Sequence, residues 1–125
     1  MEYILIVKGR LPGLNEYIDA NRTNKFKGAK FKERHEQALI FVIKTQLKNI
    51  KIDKKIFITY HFFEPNKRRD LDNISAFAHK VIQDALVKSG IIKNDGWKEI
   101  VGFKDTFYID KERPRIEVVL QEVET

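Results

Sequence analysis

One apolar stripe limits this chain more than anything else in it: Ile74, Phe77, Ala78, Val81, Ile82, Ala85 and Leu86 recur at i, i+3, i+4 and i+7. That spacing suits an amphipathic helix and no strand, so a helix is predicted over 73–89, stopped by Ser89-Gly90. Whatever else folds must offer this helix an apolar face. Ile56 to Phe63 alternates Ile56, Ile58, Tyr60 and Phe62 with Phe57, Thr59, His61 and Phe63, which predicts an interior strand covered on both sides and ended by Pro65 and Asn66.

Residues 30–49 carry Phe31, Ala38, Leu39, Val42, Ile43 and Leu47 near helical spacing with Lys44 and Lys48 opposite, and predict a second amphipathic helix. Met1 to Lys8 reads as a first strand, closed by the turn-rich run Gly9 to Asn15. Ile100–Ile109 and Ile116–Leu120 alternate as strands, with Asp110 to Pro114 a polar connection of hairpin length. The expected order is β-α-β-α-β-β. It describes one α+β domain over 1–125, a mixed sheet with two main helices packed on it.

Composition narrows the chemistry. A chain of 125 residues, 42% of them hydrophobic, fills one core and not two. The absence of cysteine removes disulfides, zinc–thiolate sites and cysteine nucleophiles, and agrees with a reducing compartment. The N-terminal apolar run is too short for a membrane span and lacks a basic lead, so a cytoplasmic location is expected. The net charge of +6 favours an anionic partner, and the positive residues are concentrated. Arg22, Lys25, Lys27, Lys30, Lys32 and Arg34 face only Glu33 in that stretch, with Phe26 and Phe31 between them. The stretch fits a solvated surface or an arm that contacts phosphates.

Acids are concentrated elsewhere. Lys67-Arg68-Arg69-Asp70-Leu71-Asp72-Asn73 leads into the 73–89 helix, and Asp95 follows it. Asp70 and Asp72 project together only from extended backbone, and Lys67, Arg68 and Arg69 beside them offset their repulsion. The same residues also suit an ordinary helix start, with a capping Asp and dipole-compensating acids. A return of the chain after Gly90 would bring Asp95 to Asp70 and Asp72. Three converging carboxylates would need a hard cation. Asn73, Lys80 and Asp84 share one flank of the helix, where Lys80 and Asp84 fit either a functional pair or a surface i,i+4 pair. The histidines read as structural, with His79 toward solvent; Trp97 and most of the nine phenylalanines read as core.

Arg69-Asp70-Leu71-Asp72-Asn73, then Lys80 and Asp84-Ala85-Leu86, then Gly90 and Asp95, resembles the RusA family of Holliday-junction resolvases. Gly9 to Asn15 and Pro114 to Val118 extend the likeness across most of the chain. The resemblance implies a homodimeric, Mg²⁺-dependent (or Mn²⁺-dependent) endodeoxyribonuclease that nicks four-way DNA junctions symmetrically during recombination and repair. It further implies that Asp70, Asp72 and Asp95 bind the metal and act in catalysis beside Lys80. Arg22, Lys25, Lys27, Lys30, Lys32, Lys67, Arg68 and Arg69 are the candidate DNA contacts. Two departures stand out. The helix before Lys80 is about one turn longer than in the best-known form of the family, with Ala76 where a lysine might fall. Asn94 also precedes Asp95 where a second acid is common in the family.

Two other classes are compatible with parts of this pattern. A non-catalytic DNA-binding protein would use the basic stretch but has no use for three acids, and metal-dependent cleavage separates it from a nuclease. An Asp-x-Asp nucleotide-sugar enzyme would need a larger donor domain and a Gly-rich phosphate loop, and neither is visible. A metal-dependent nuclease for other branched DNA differs only in substrate.

Overall fold

The stripe around Phe77 lies on an 18-residue helix, and the sheet forms beneath it. The computed structural model describes residues 1–124. In chain order the elements are β1 (Glu2–Lys8), α1 (Leu14–Thr23), α2 (Lys25–Gln46), β2 (Ile56–Glu64), α3 (Leu71–Lys88), β3 (Ile100–Ile109) and β4 (Arg115–Glu122). The strands stand in the order β1-β4-β2-β3, with β2 and β3 parallel and the other pairs antiparallel. This is the expected α+β fold with a mixed sheet.

The alternation of β2 explains how the layers meet. Ile56, Ile58, Tyr60, Phe62 and Glu64 are buried, and so are Leu5 and Val7 of β1 and Ile116, Val118 and Leu120 of β4. They share one core with Leu39 and Ile43 of α2 and with Phe77, Val81 and Leu86 of α3. Phe57, Thr59, His61 and Phe63, on the other face of β2, are only half-buried. The helices therefore cover one face, and the expected coverage of β2 on both sides is corrected. The buried Tyr60 hydroxyl accepts from Gln83 Nε2 of α3 at 3.0 Å. Burial raises its pKa above the ordinary phenol value.

Three other expectations change. The expected turn ends in the first two residues of α1, a helix the sequence did not announce, which buries none of its residues and rests on the core through Tyr17, stacked against Phe31 and tilted onto Phe77. Asn24 separates it from α2, its Oδ1 accepting the Lys27 N–H at 2.7 Å as a helix cap. The connection from Asp110 to Pro114 is not a hairpin, because β2 lies between β3 and β4. Crossing two strand spacings needs about 10 Å, which five residues span easily at about 3.3 Å each. Trp97 is 97% exposed, and Phe26, Phe41 and Phe103 are also exposed, against the expectation of core.

The two ends of the sheet differ. On β1, Gln46 of α2 uses its side-chain amide as a substitute strand: Oε1 accepts the Ile6 N–H and Nε2 donates to the Ile6 carbonyl, both at 2.7 Å. At the other end, β3 is bonded to β2 alone and exposes Val101, Phe103, Tyr108 and Ile109. Gly90, at φ 79°, ends α3 in the left-handed conformation that glycine adopts without strain. Among the described residues no helix is long and apolar enough to cross a membrane.

Candidate active site

The start of α3 is held from below by a buried carboxylate. Glu64, at the end of β2, is 5% exposed and accepts two bonds from Arg69 Nη2, both at 3.0 Å, and one from Arg10 Nη2 at 3.2 Å. Arg69 Nη1 also donates to the Leu11 carbonyl at 3.1 Å. The guanidinium expected on DNA is thus turned inward, joining β2, the segment after β1 and the residue before Asp70. Asn73 adds a second tie, accepting the Asn15 N–H at 2.9 Å. A Cβ on Gly13 would lie 2.6 Å from Asn73 Oδ1 and would push the Asn73 amide out of its place against Asn15.

On this support sit Asp70 and Asp72, both exposed. Asp70 is the N-cap residue in extended conformation (φ −67°, ψ 155°), yet its side chain caps nothing. Asp72 is already in the first helical turn, so the two do not share an extended segment as expected. An aspartate at an N-cap ordinarily stabilises the helix by about 1 kcal/mol through a bond to a backbone N–H. Asp70 forgoes that bond, which leaves its oxygens open to a ligand. Beside it is a cavity of about 360 Å³ whose walls include Lys67, Asp70, Leu71, Phe107, Tyr108 and Ile109. Lys67 and Arg68 are exposed at this end.

Asp84 and Asp95 lie toward the other end of α3, and Lys80 stands at its middle. Lys80 Nζ is 3.8 Å from Asp84 Oδ2, and the Asp95 carboxyl lies against that of Asp84. Lys32 of α2 reaches the same Asp84 oxygen at 2.7 Å and Glu36 at 3.0 Å. Burial opposes ionisation of Asp84, but the bond and charge of Lys32, then the charge of Lys80, hold its carboxyl below the ordinary value. Fourteen residues separate Asp70 from Asp84, about 21 Å along the axis. The chain after Gly90 does fold back, but only far enough to bring Asp95 to Asp84. Within one chain Asp95 does not join Asp70 and Asp72, and among the described residues no three His, Cys, Asp or Glu side chains form a metal-binding group.

The basic stretch occupies the end of α1 and the first turns of α2. Arg22, Lys25, Lys27 and Lys30 are exposed. Lys27, Lys30 and Arg34 lie within about 60° of one another around α2, while Lys32 lies about 140–160° away, where its ion pairs are. Sequence reasoning also missed one site-like pair. His79, expected toward solvent, packs among Tyr60, Phe62 and Phe103, and its Nε2 is 2.7 Å from Asp105 Oδ1 on β3. No spacing in the sequence links residues 79 and 105.

The family model for endodeoxyribonuclease RusA matches residues 15–121. The chain belongs to the RusA endodeoxyribonuclease family. The RusA match runs from α1 to β4 and includes every candidate residue above; β1 and most of Gly9 to Asn15 lie outside it. With the RusA family comes endonuclease activity on DNA as the class of reaction. No curated protein matches the chain.

Proposed function

We propose that the chain is a divalent-metal-dependent endodeoxyribonuclease that resolves four-way (Holliday) junctions by paired symmetric nicks, as a cytoplasmic homodimer serving DNA recombination and repair. The observation that carries this reading is the pair of exposed carboxylates at the head of α3, where Asp70 leaves its own helix uncapped. Their donors suit Mg²⁺ or Mn²⁺, which prefer hard oxygen ligands. Asp70 and Asp72 would hold the ion, and Asp95 would complete the set. When bound, such a cation supplies positive charge against the phosphate and activates water for attack.

The chain's own residues provide the rest. Lys67 and Arg68 hold backbone phosphates beside Asp70, and Lys25, Lys27 and Lys30 extend the contact. Lys80 offers an ammonium to the leaving oxygen. The separation of Asp70 from the Asp84–Asp95 end, about 21 Å or four helical turns, gives the homodimer a specific task. In a twofold pair the partner's Asp95 and the partner's Lys80 can meet Asp70 and Asp72, and each of two equivalent sites then takes one strand. The unpaired β3 edge and its exposed Val101, Phe103 and Ile109 support such pairing.

Cleavage of a synthetic four-way junction beside linear duplex, with and without Mg²⁺, tests the proposal. Metal-dependent paired nicks in the junction alone are expected. Equal cutting of duplex, or cutting without metal, would overturn it.

A further inference from the structure

Trp97 is 97% exposed, the most of any large hydrophobic among the described residues. Its backbone is nevertheless held on both sides. Ile91 and Ile92 before it are buried, and the Ile52 N–H donates to the Ile91 carbonyl at 2.8 Å. After it, the Glu99 and Ile100 N–H groups both donate to the Gly96 carbonyl, at 3.1 and 3.0 Å, and the Ile56 N–H donates to the Glu99 carbonyl at 2.9 Å. A bonded turn thus presents an indole to water, two residues after Asp95 and just before β3. A large apolar side chain held ready in this way suits an interface anchor.

The cavity beside Asp70 is a matching recess of about 360 Å³, with apolar walls in Leu71, Ile74, Phe107 and Ile109. The chain's own Trp97 cannot fill it. Trp97 precedes β3, whereas Phe107 and Ile109 stand at its far end, and at about 3.3 Å per residue Ile100 and Phe107 are roughly 23 Å apart. A second copy can. β3 is an open edge of the sheet, and two such edges paired about a twofold axis normal to the sheet run antiparallel, setting the start of one β3 against the end of the other. Charges match as well: Lys67 and Asp70 line the recess, and Asp95 and Lys98 stand on either side of Trp97 in the chain.

We propose that the Trp97 indole of each chain seats in this recess of a second copy, and that the contact brings Asp95 to the partner's Asp70. The inference rests on the twofold shared site of the proposed function and names the contact that forms it. Trp97 is the sole tryptophan, so fluorescence of the full chain reads the contact directly. Blue-shifted emission, shielded from acrylamide, is expected wherever sedimentation shows a dimer, free or on a four-way junction, and solvent-like emission on dilution to monomer. Leu71→Gln alters the recess at a 56% exposed position outside β3, and is expected to redden the emission of a tryptophan it does not touch in its own chain. Trp97→Ala should weaken dimerisation about 30-fold or more with an unchanged circular dichroism spectrum, and its cleavage of the junction should recover as protein concentration is raised. A dimer whose Trp97 is as open to acrylamide as free N-acetyltryptophanamide, or equally shielded in wild type and Leu71→Gln, would overturn the seat alone. A chain that is monomeric both free and on the junction, yet cuts it, would remove the twofold reading beneath it and this inference with it.

Discussion

Arg69 and Glu64 face each other through two bonds of 3.0 Å immediately before the first candidate metal ligand. Breaking a buried pair of this kind typically costs about 3–5 kcal/mol, because one charge remains buried without its partner. Arg69→Ala is therefore expected to lower the urea midpoint strongly, and Arg69→Lys to lower it less. If Arg69→Ala reduced DNA affinity and its salt dependence while leaving the midpoint unchanged, Arg69 would be a phosphate contact instead.

Asp70→Asn and Asp95→Asn should each abolish cleavage while DNA binding persists or tightens, since each removes a ligand and a negative charge. Mixing the two inactive proteins distinguishes a site shared between chains from one within a chain. In a shared arrangement the mixed dimer carries one intact site, made of Asp70 from one chain and Asp95 from the other. Nicking of one strand should then return. Continued inactivity of verified mixed dimers would place each site within a single chain.

The face formed by Lys27, Lys30 and Arg34 is expected to govern salt dependence. Neutralising all three should flatten the slope of log K against log [salt] by about 0.9 for each duplex phosphate that the protein no longer neutralises. Lys32→Met should leave that slope nearly unchanged, because Glu36 and Asp84 already hold its ammonium. Filter-binding or anisotropy titrations at several salt concentrations measure both.

Acid should loosen the α2–α3 seam. Burial opposes the charged form of Glu36, but its bonds to Lys88 and Lys32 prevail and hold its pKa below the ordinary carboxyl value; Asp84 is lowered too. With folded values depressed, the unfolded chain binds more protons, so stability rises with pH across the carboxyl range. Their contribution is complete above the ordinary carboxyl values and is lost as pH falls through the lower folded ones. Urea midpoints measured from pH 7 down to pH 3 should fall less steeply for Glu36→Gln than for wild type. Identical slopes would show that the seam does not contribute.

What the sequence disclosed follows from how local each signal is. The α3 stripe was readable because all seven of its apolar residues are buried at helical spacing. Helix α1 was not, since it buries none and depends on Tyr17 meeting aromatic rings on two other helices. The acids of the site were legible as residue types, but the position of Asp95 beside Asp84 depends on how the segment after Gly90 folds back. The engagement of Lys32 had a visible half in its i,i+4 spacing from Glu36. Its other half, Asp84, lies on a different helix. Trp97 shows the opposite limit: hydrophobic type alone does not distinguish a core residue from one left in solvent.

Gln46 has an effect beyond the bonds it makes to Ile6. A sheet with two receptive margins can recruit copies without end, as fibres do. Here the β1 margin already carries the protein's own amide at Ile6, so the association proposed through β3 would have a natural terminus: two chains would join, and the growing ribbon would meet an edge already engaged.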